Sequence, residues 1–145
     1  MGLFKKNKKV SEKKMQNYEN YDYKIKMMYS DGIPELTENT SCEVILKDGK
    51  IVITPMAGPE RNISLCISQI NSVNILPWGE YALKYLHTNI TIPKNSPGRT
   101  YLVINFISSE NIQKSISFWG AMQLLKIQSF SDKIKKQMPE KDIHL

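Results

Sequence analysis

The chain has few of the residues that ordinarily carry chemistry. Two cysteines, two histidines and two arginines stand among 145 residues. Cys42 and Cys66 lie in alternating apolar runs with no CxxC spacing and no histidine beside them, so a zinc site is disfavoured and buried, reduced thiols in a cytosolic protein are expected. His87 and His144 are the only histidines, and His144, one residue from an end expected to fray, is a poor candidate for the well-ordered base or ligand that a catalytic or metal site needs. No GxGxxG, Walker A, HExxH or EF-hand pattern occurs. The carboxylates are scattered singly, with no sequence-evident pair for acid/base work. Catalytic, metal and cofactor residues are accordingly none. Long apolar runs are also missing: nothing approaches the roughly 20 residues of a spanning helix. Two apolar residues, Leu3 and Phe4, precede the first lysines, fewer than a secretory signal's apolar region requires. Lys6 occupies the position where a myristoylation pattern wants Ser or Thr.

Lysine is abundant, and its distribution matters more than its number. The net charge is +6. Lys5, Lys6, Lys8, Lys9, Lys13 and Lys14 against Glu12 put +5 into the first fourteen residues, leaving residues 15–145 at +1. The sequence therefore describes a nearly neutral body with a basic arm, not a basic surface of the kind nucleic-acid binding needs. Eighteen lysines to two arginines, Arg61 and Arg99, also disfavours bidentate phosphate and base recognition. Three readings of the arm stand: a solvated tail, a contact with an anionic membrane through Lys5, Lys6, Lys8 and Lys9, and a nucleic-acid contact.

The body reads as strands followed by one helix. Tyr18, Tyr21, Tyr23 and Tyr29 belong to a lead-in with one short extended segment near 23–29, ending at the turn Ser30-Asp31-Gly32. Interleaved Tyr and Lys can stack on bases, but the same tyrosines can dock the lead-in onto the body. Cys42–Lys47 and Lys50–Thr54 flank Asp48-Gly49, the signature of a two-residue hairpin, because a type I′ turn needs positive φ at both central residues. That turn sets Lys47 opposite Lys50, Leu46 opposite Ile51 and Val44 opposite Ile53. Cys42, Val44, Leu46, Ile51 and Ile53 then share a core face, and Ile45 and Val52 imply partial cover on the other. Ile63, Leu65 and Ile67 alternate, slip phase near Ser68-Gln69, and resume with Val73 and Ile75, which predicts a corner between two strands. Residues 77–88 show no clear period, and 94–98 form a loop. Tyr101–Ile107 and Ile112–Phe118 form a second hairpin. From about residue 120 to 138 the period becomes 3.6, with Leu124, Ile127, Ser131, Ile134 and Met138 in one stripe and lysines in the last turns.

Strands in this number followed by a closing amphipathic helix resemble the pleckstrin-homology (PH) superfold. More specifically, the Lys-rich start, the Gly32-Ile33-Pro34 turn, the Cys42–Thr54 hairpin and the Phe118–Met138 end resemble small bacterial PH-like proteins. The resemblance implies a mainly β domain with one C-terminal α-helix: a PH-like β-barrel of about seven strands capped by the helix. The expected organisation is a flexible basic arm over 1–20, one domain over 21–139 and a frayed tail over 140–145. The function it implies is a non-enzymatic module binding a protein or peptide through a sheet edge or through loops near Trp78 and residues 93–99. Trp78, between Pro77 and Gly79, is the candidate contact; packing back onto the barrel is its other reading. Trp119 reads as a core or capping residue. Peripheral membrane association, nucleic-acid binding and a phage or mobile-element inhibitor of a host protein remain the alternatives.

Overall fold

A computed structural model describes residues 21–81, 84 and 98–139. The arm with Lys5, Lys6, Lys8 and Lys9, both histidines, the tail 140–145 and most of the 82–97 segment lie outside the described residues.

Seven antiparallel strands form one sheet: β1 (Tyr23–Asp31), β2 (Ser41–Lys47), β3 (Lys50–Pro55), β4 (Ile63–Cys66), β5 (Ile70–Pro77), β6 (Arg99–Ile107) and β7 (Gln113–Ala121). A 3-10 turn, η1 (Ile67–Gln69), joins β4 to β5; a helical turn, α1 (Trp78–Tyr81), follows β5; and α2 (Leu124–Gln137) ends the described chain. The strand order is β4-β3-β2-β1-β7-β6-β5. Two meanders, β1–β4 and β5–β7, are thus joined through β1 and β7. The sheet is not closed into a barrel, and β4 and β5 are its edges.

Those two edges are nonetheless linked by only the three residues of η1. At roughly 2 Å rise per residue, a turn this short forces the opposite ends of the sheet order to approach at one corner. Gln69 holds the corner. Its Oε1 accepts from the Cys66 N–H at 3.1 Å and its Nε2 donates to the Ile107 carbonyl at 3.0 Å, tying β4, η1 and the end of β6 together. The phase slip expected at Ser68-Gln69 is this turn.

The first hairpin forms with the expected register, Lys47 opposite Lys50, Leu46 opposite Ile51 and Val44 opposite Ile53. Asp48 and Gly49 adopt φ of 51° and 70°, as a type I′ turn requires. Ile45 is buried and Val52 half-buried on the opposite face.

Alternate residues of all strands point into one core: Ile25, Met27 and Tyr29 from β1, Val44 and Leu46 from β2, Leu102 and Ile104 from β6, Ile116 and Phe118 from β7. Ile127, Phe130 and Ile134 of α2 close it. Cys42 is fully buried there, and burial pushes its thiol from 9.0 up to about 11. Cys66 is half-buried, and neither cysteine is in a disulfide.

Three expectations are corrected. The segment expected to be extended near 23–29 is a strand, but a central one and not part of a lead-in: β1 runs to Asp31, through the expected turn, and is paired with both β2 and β7. A register shift between Tyr29 and Asp31 ends the regular β1–β7 pairing, and Gly32, at φ 107°, follows. A Cβ on Gly32 would collide with the Ser115 carbonyl of β7, so the close approach of the two chains requires glycine. Second, the helix begins at Leu124, not near residue 120. Trp119 still pairs with Met28 and Tyr101, and Gly120 with Thr100, so strand pairing holds these residues extended. Leu124 is then 46% exposed, outside the stripe assigned to it. Third, Ile112 precedes β7 and is exposed, leaving Ile116 and Phe118 as that strand's core residues.

Candidate functional site

Among the described residues, no group of three His, Cys, Asp or Glu side chains could hold a metal ion. No described helix is long and apolar enough to cross a membrane. The built feature that the core does not account for lies on the other face of the β5–β7 meander.

Successive residues of β6 alternate between two packed layers. Leu102 and Ile104 enter the main core, while Tyr101 and Val103 face outward, yet these too are at most 2% exposed. What covers them is α1. Pro77 ends β5, and Trp78–Tyr81 turns back over the outer face, where Trp78, Tyr81, Leu76 and Trp119 pack around Tyr101 and Val103. Tyr81 stacks on Tyr101 with ring centroids 4.0 Å apart and planes 12° from parallel. Trp78 lies 5.6 Å from Tyr101 and 6.4 Å from Tyr81, half-buried at the rim.

Register explains the grouping. Tyr101 pairs with Leu76 on one side and Trp119 on the other, so one row across three strands supplies Leu76, Tyr101 and Trp119. Arg99 pairs with Ala121 and therefore sits diagonal to Trp119. Its guanidinium carbon is 4.0 Å from the Trp119 ring centroid, a cation–π contact. Trp119 Nε1 donates to Asn39 Oδ1 at 2.9 Å, which holds the indole in place. The Tyr81 hydroxyl shares hydrogen bonds with Ser30 at 2.9 Å and Ser117 at 2.8 Å, so α1 is fixed by polar contacts as well as by stacking. Burial raises the pKa of Tyr101, and its hydrogen bond with Arg99 opposes that rise.

Further along the same face the surface turns polar. Asn105 donates to Ser72 at 2.9 Å and accepts from Ser115 at 2.7 Å, a ladder across β5, β6 and β7. The edge strand β5 thus borders a polar ladder at one end and an aromatic cluster at the other. Near η1 an open cavity of about 520 Å³ is lined by Cys66, Ser68, Asn71 and Ser108 among others. A second, of about 550 Å³, lies at the start of α2 between Gly98 and Leu125.

Of the residues singled out in the sequence, Trp78 is placed in this cluster; Lys5, Lys6, Lys8 and Lys9 lie outside the described residues. Tyr81, Tyr101 and Arg99 were not anticipated. The pairing of β6 with β5 and β7 brings them together, and the aperiodic segment before β6 hides that pairing in the sequence. Trp119, expected in the core or at a helix cap, belongs to this outer layer. Neither family models nor curated proteins provide a match to the chain.

Proposed function

We propose that the chain is a PH-like, non-enzymatic binding module whose partner is a protein that adds an extended segment to the edge of β5 and seats a side chain against Trp78. The observation that carries this reading is continuity: an eight-residue strand that, among the described residues, has a neighbour on one side only runs directly into the half-buried Trp78. Main-chain groups along such an edge supply affinity, and the aromatic side chains at its end supply selectivity. Trp, Tyr and Arg are the residues that most often anchor interfaces, and three half-buried ones, Trp78, Arg99 and Trp119, gather here around the buried Tyr81 and Tyr101. The other edge, β4, has four residues, and short edges are a common way of preventing strand addition. The PH-like reading is supported by two antiparallel meanders of four and three strands and by a terminal helix packed on β1, β5, β6 and β7. The gap between β4 and β5 is its departure from a closed barrel. Two unpaired cysteines support a reducing compartment such as the cytosol.

The test is affinity capture with the full chain, followed by hydrogen exchange on the complex. The expected result is slowed exchange within Ile70–Pro77 and a loss of about 2 kcal/mol of binding, roughly thirtyfold, in Trp78→Ala. A partner that binds Trp78→Ala equally and leaves the β5 amides exchanging as in the free chain would overturn the reading.

A further inference from the structure

Met122, Leu124 and Leu125 are 86%, 46% and 78% exposed, and they are three of six large hydrophobic residues left exposed among the described residues. They fall within four positions, at the junction of β7 and α2, beside the open cavity formed with Gly98 and Thr100. Folding does not require them there. Met122 holds φ of 59°, a left-handed conformation that glycine or asparagine occupies more easily, and its side chain packs almost nothing. Leu125 lies on the face of α2 opposite Ile127, Phe130 and Ile134, which enter the core.

The charge of the body is concentrated on the same element. Residues 21–123 contain nine basic and nine acidic side chains and are neutral. The α2 segment carries Lys126, Lys133, Lys135 and Lys136 against Asp132. At 100° per residue, Lys133 and Lys136 fall within a quarter turn of Leu125 on the outward face, with Asp132 the one acid among them. The ammonium of Lys133 lies 5.9 Å from the Tyr23 ring centroid, and Lys126 flanks the apolar tip.

We infer that this face of α2 docks on an anionic lipid surface, with Met122, Leu124 and Leu125 entering the headgroup region and the lysines meeting lipid charge. Protruding apolar side chains backed by lysines on a helix lying in the interface plane suit a bilayer, which needs no complementary shape. A stable protein interface needs roughly 800 Å² per partner, more than three side chains supply. The arm repeats the same pattern in sequence, Leu3 and Phe4 followed by lysines. The inference does not depend on a partner at β5.

The test is co-sedimentation of the full chain with mixed phosphatidylserine–phosphatidylcholine vesicles and with phosphatidylcholine vesicles, at low and high salt. Wild-type protein is expected to bind the anionic vesicles and to release with salt. Met122→Gly with Leu125→Gln, which relieves the positive φ and keeps a good helix former, is expected to lower partitioning roughly tenfold or more. Replacing Lys126, Lys133 and Lys136 with Gln removes about fivefold per lysine, on the order of a hundredfold together. Both variants should keep a cooperative unfolding transition, that of the Met122→Gly, Leu125→Gln protein no lower than wild type because the positive φ is relieved. Wild-type protein that ignores anionic vesicles, or variants that bind them unchanged, would sink the inference. Variants that keep vesicle binding but lose a protein partner would assign the patch to a protein interface instead.

Discussion

Tyr29 shows how much one side chain can organise. Its ring is buried 6.2 Å from Phe118, while its hydroxyl accepts from the Ile33 N–H at 2.7 Å and donates to the Ile33 carbonyl at 3.0 Å. Both main-chain groups of Ile33, itself in the core, are satisfied by this one oxygen just past the close approach at Gly32. Tyr29→Phe keeps the ring and removes both bonds, leaving a buried N–H unpaired. The expected cost is about 1–3 kcal/mol, read from a urea unfolding curve with unchanged slope. The sequence allows this tyrosine to dock the lead-in onto the body. The ring does dock, but the hydroxyl is buried because the chain reverses over it at Gly32, a contact that spacing does not reveal.

At the scale of elements, Gln69 is the clearest lever. Gln69→Ala removes the two side-chain bonds that tie Cys66 to Ile107 across the corner. A loss of about 1–3 kcal/mol is expected, with faster amide exchange in β4 and at the start of β5 than in the β2–β3 hairpin; equal exchange in all of them would count against a local role for this residue. Legibility follows the range of the determining interactions. The Asp48-Gly49 hairpin was readable to the residue because its register is set by two adjacent backbone conformations. The start of α2 was not, since Trp119 and Gly120 are held extended by strands distant in sequence. The aromatic layer was legible only as Trp78. Tyr101 and Trp119 meet through the register of β6 with β7, and Tyr81 joins them because α1 folds over that pair.

For the molecule as a whole, burial shifts three ionisable groups in the same direction. Burial raises the pKa of Cys42 to about 11, and burial is also the leading cause of the raised values of Tyr29 and Tyr101. Each group binds its proton more tightly when folded than when unfolded. Stability is therefore fully present below the unfolded thiol value near 9 and falls as pH rises toward 11. Denaturant midpoints measured from pH 8 to pH 11 should decline over the upper part of that range, with a shallower decline in Cys42→Val. A flat profile would contradict the burial of these groups. The near-neutral body and the basic arm also make the total charge a poor description of the domain's surface.

The union of the two meanders has a consequence for how the fold is reached. Within each meander, consecutive strands pair, so most of those contacts span modest stretches of chain. The β1–β7 seam is different: Met28 and Trp119 are about ninety residues apart. Loop-closure entropy grows slowly with length, by about 0.6 kcal/mol per doubling, but here its largest share falls on one strand pair. The kinetic burden of the topology rests on that seam, where Gly32 lets the chains come close and Trp119 reaches Asn39.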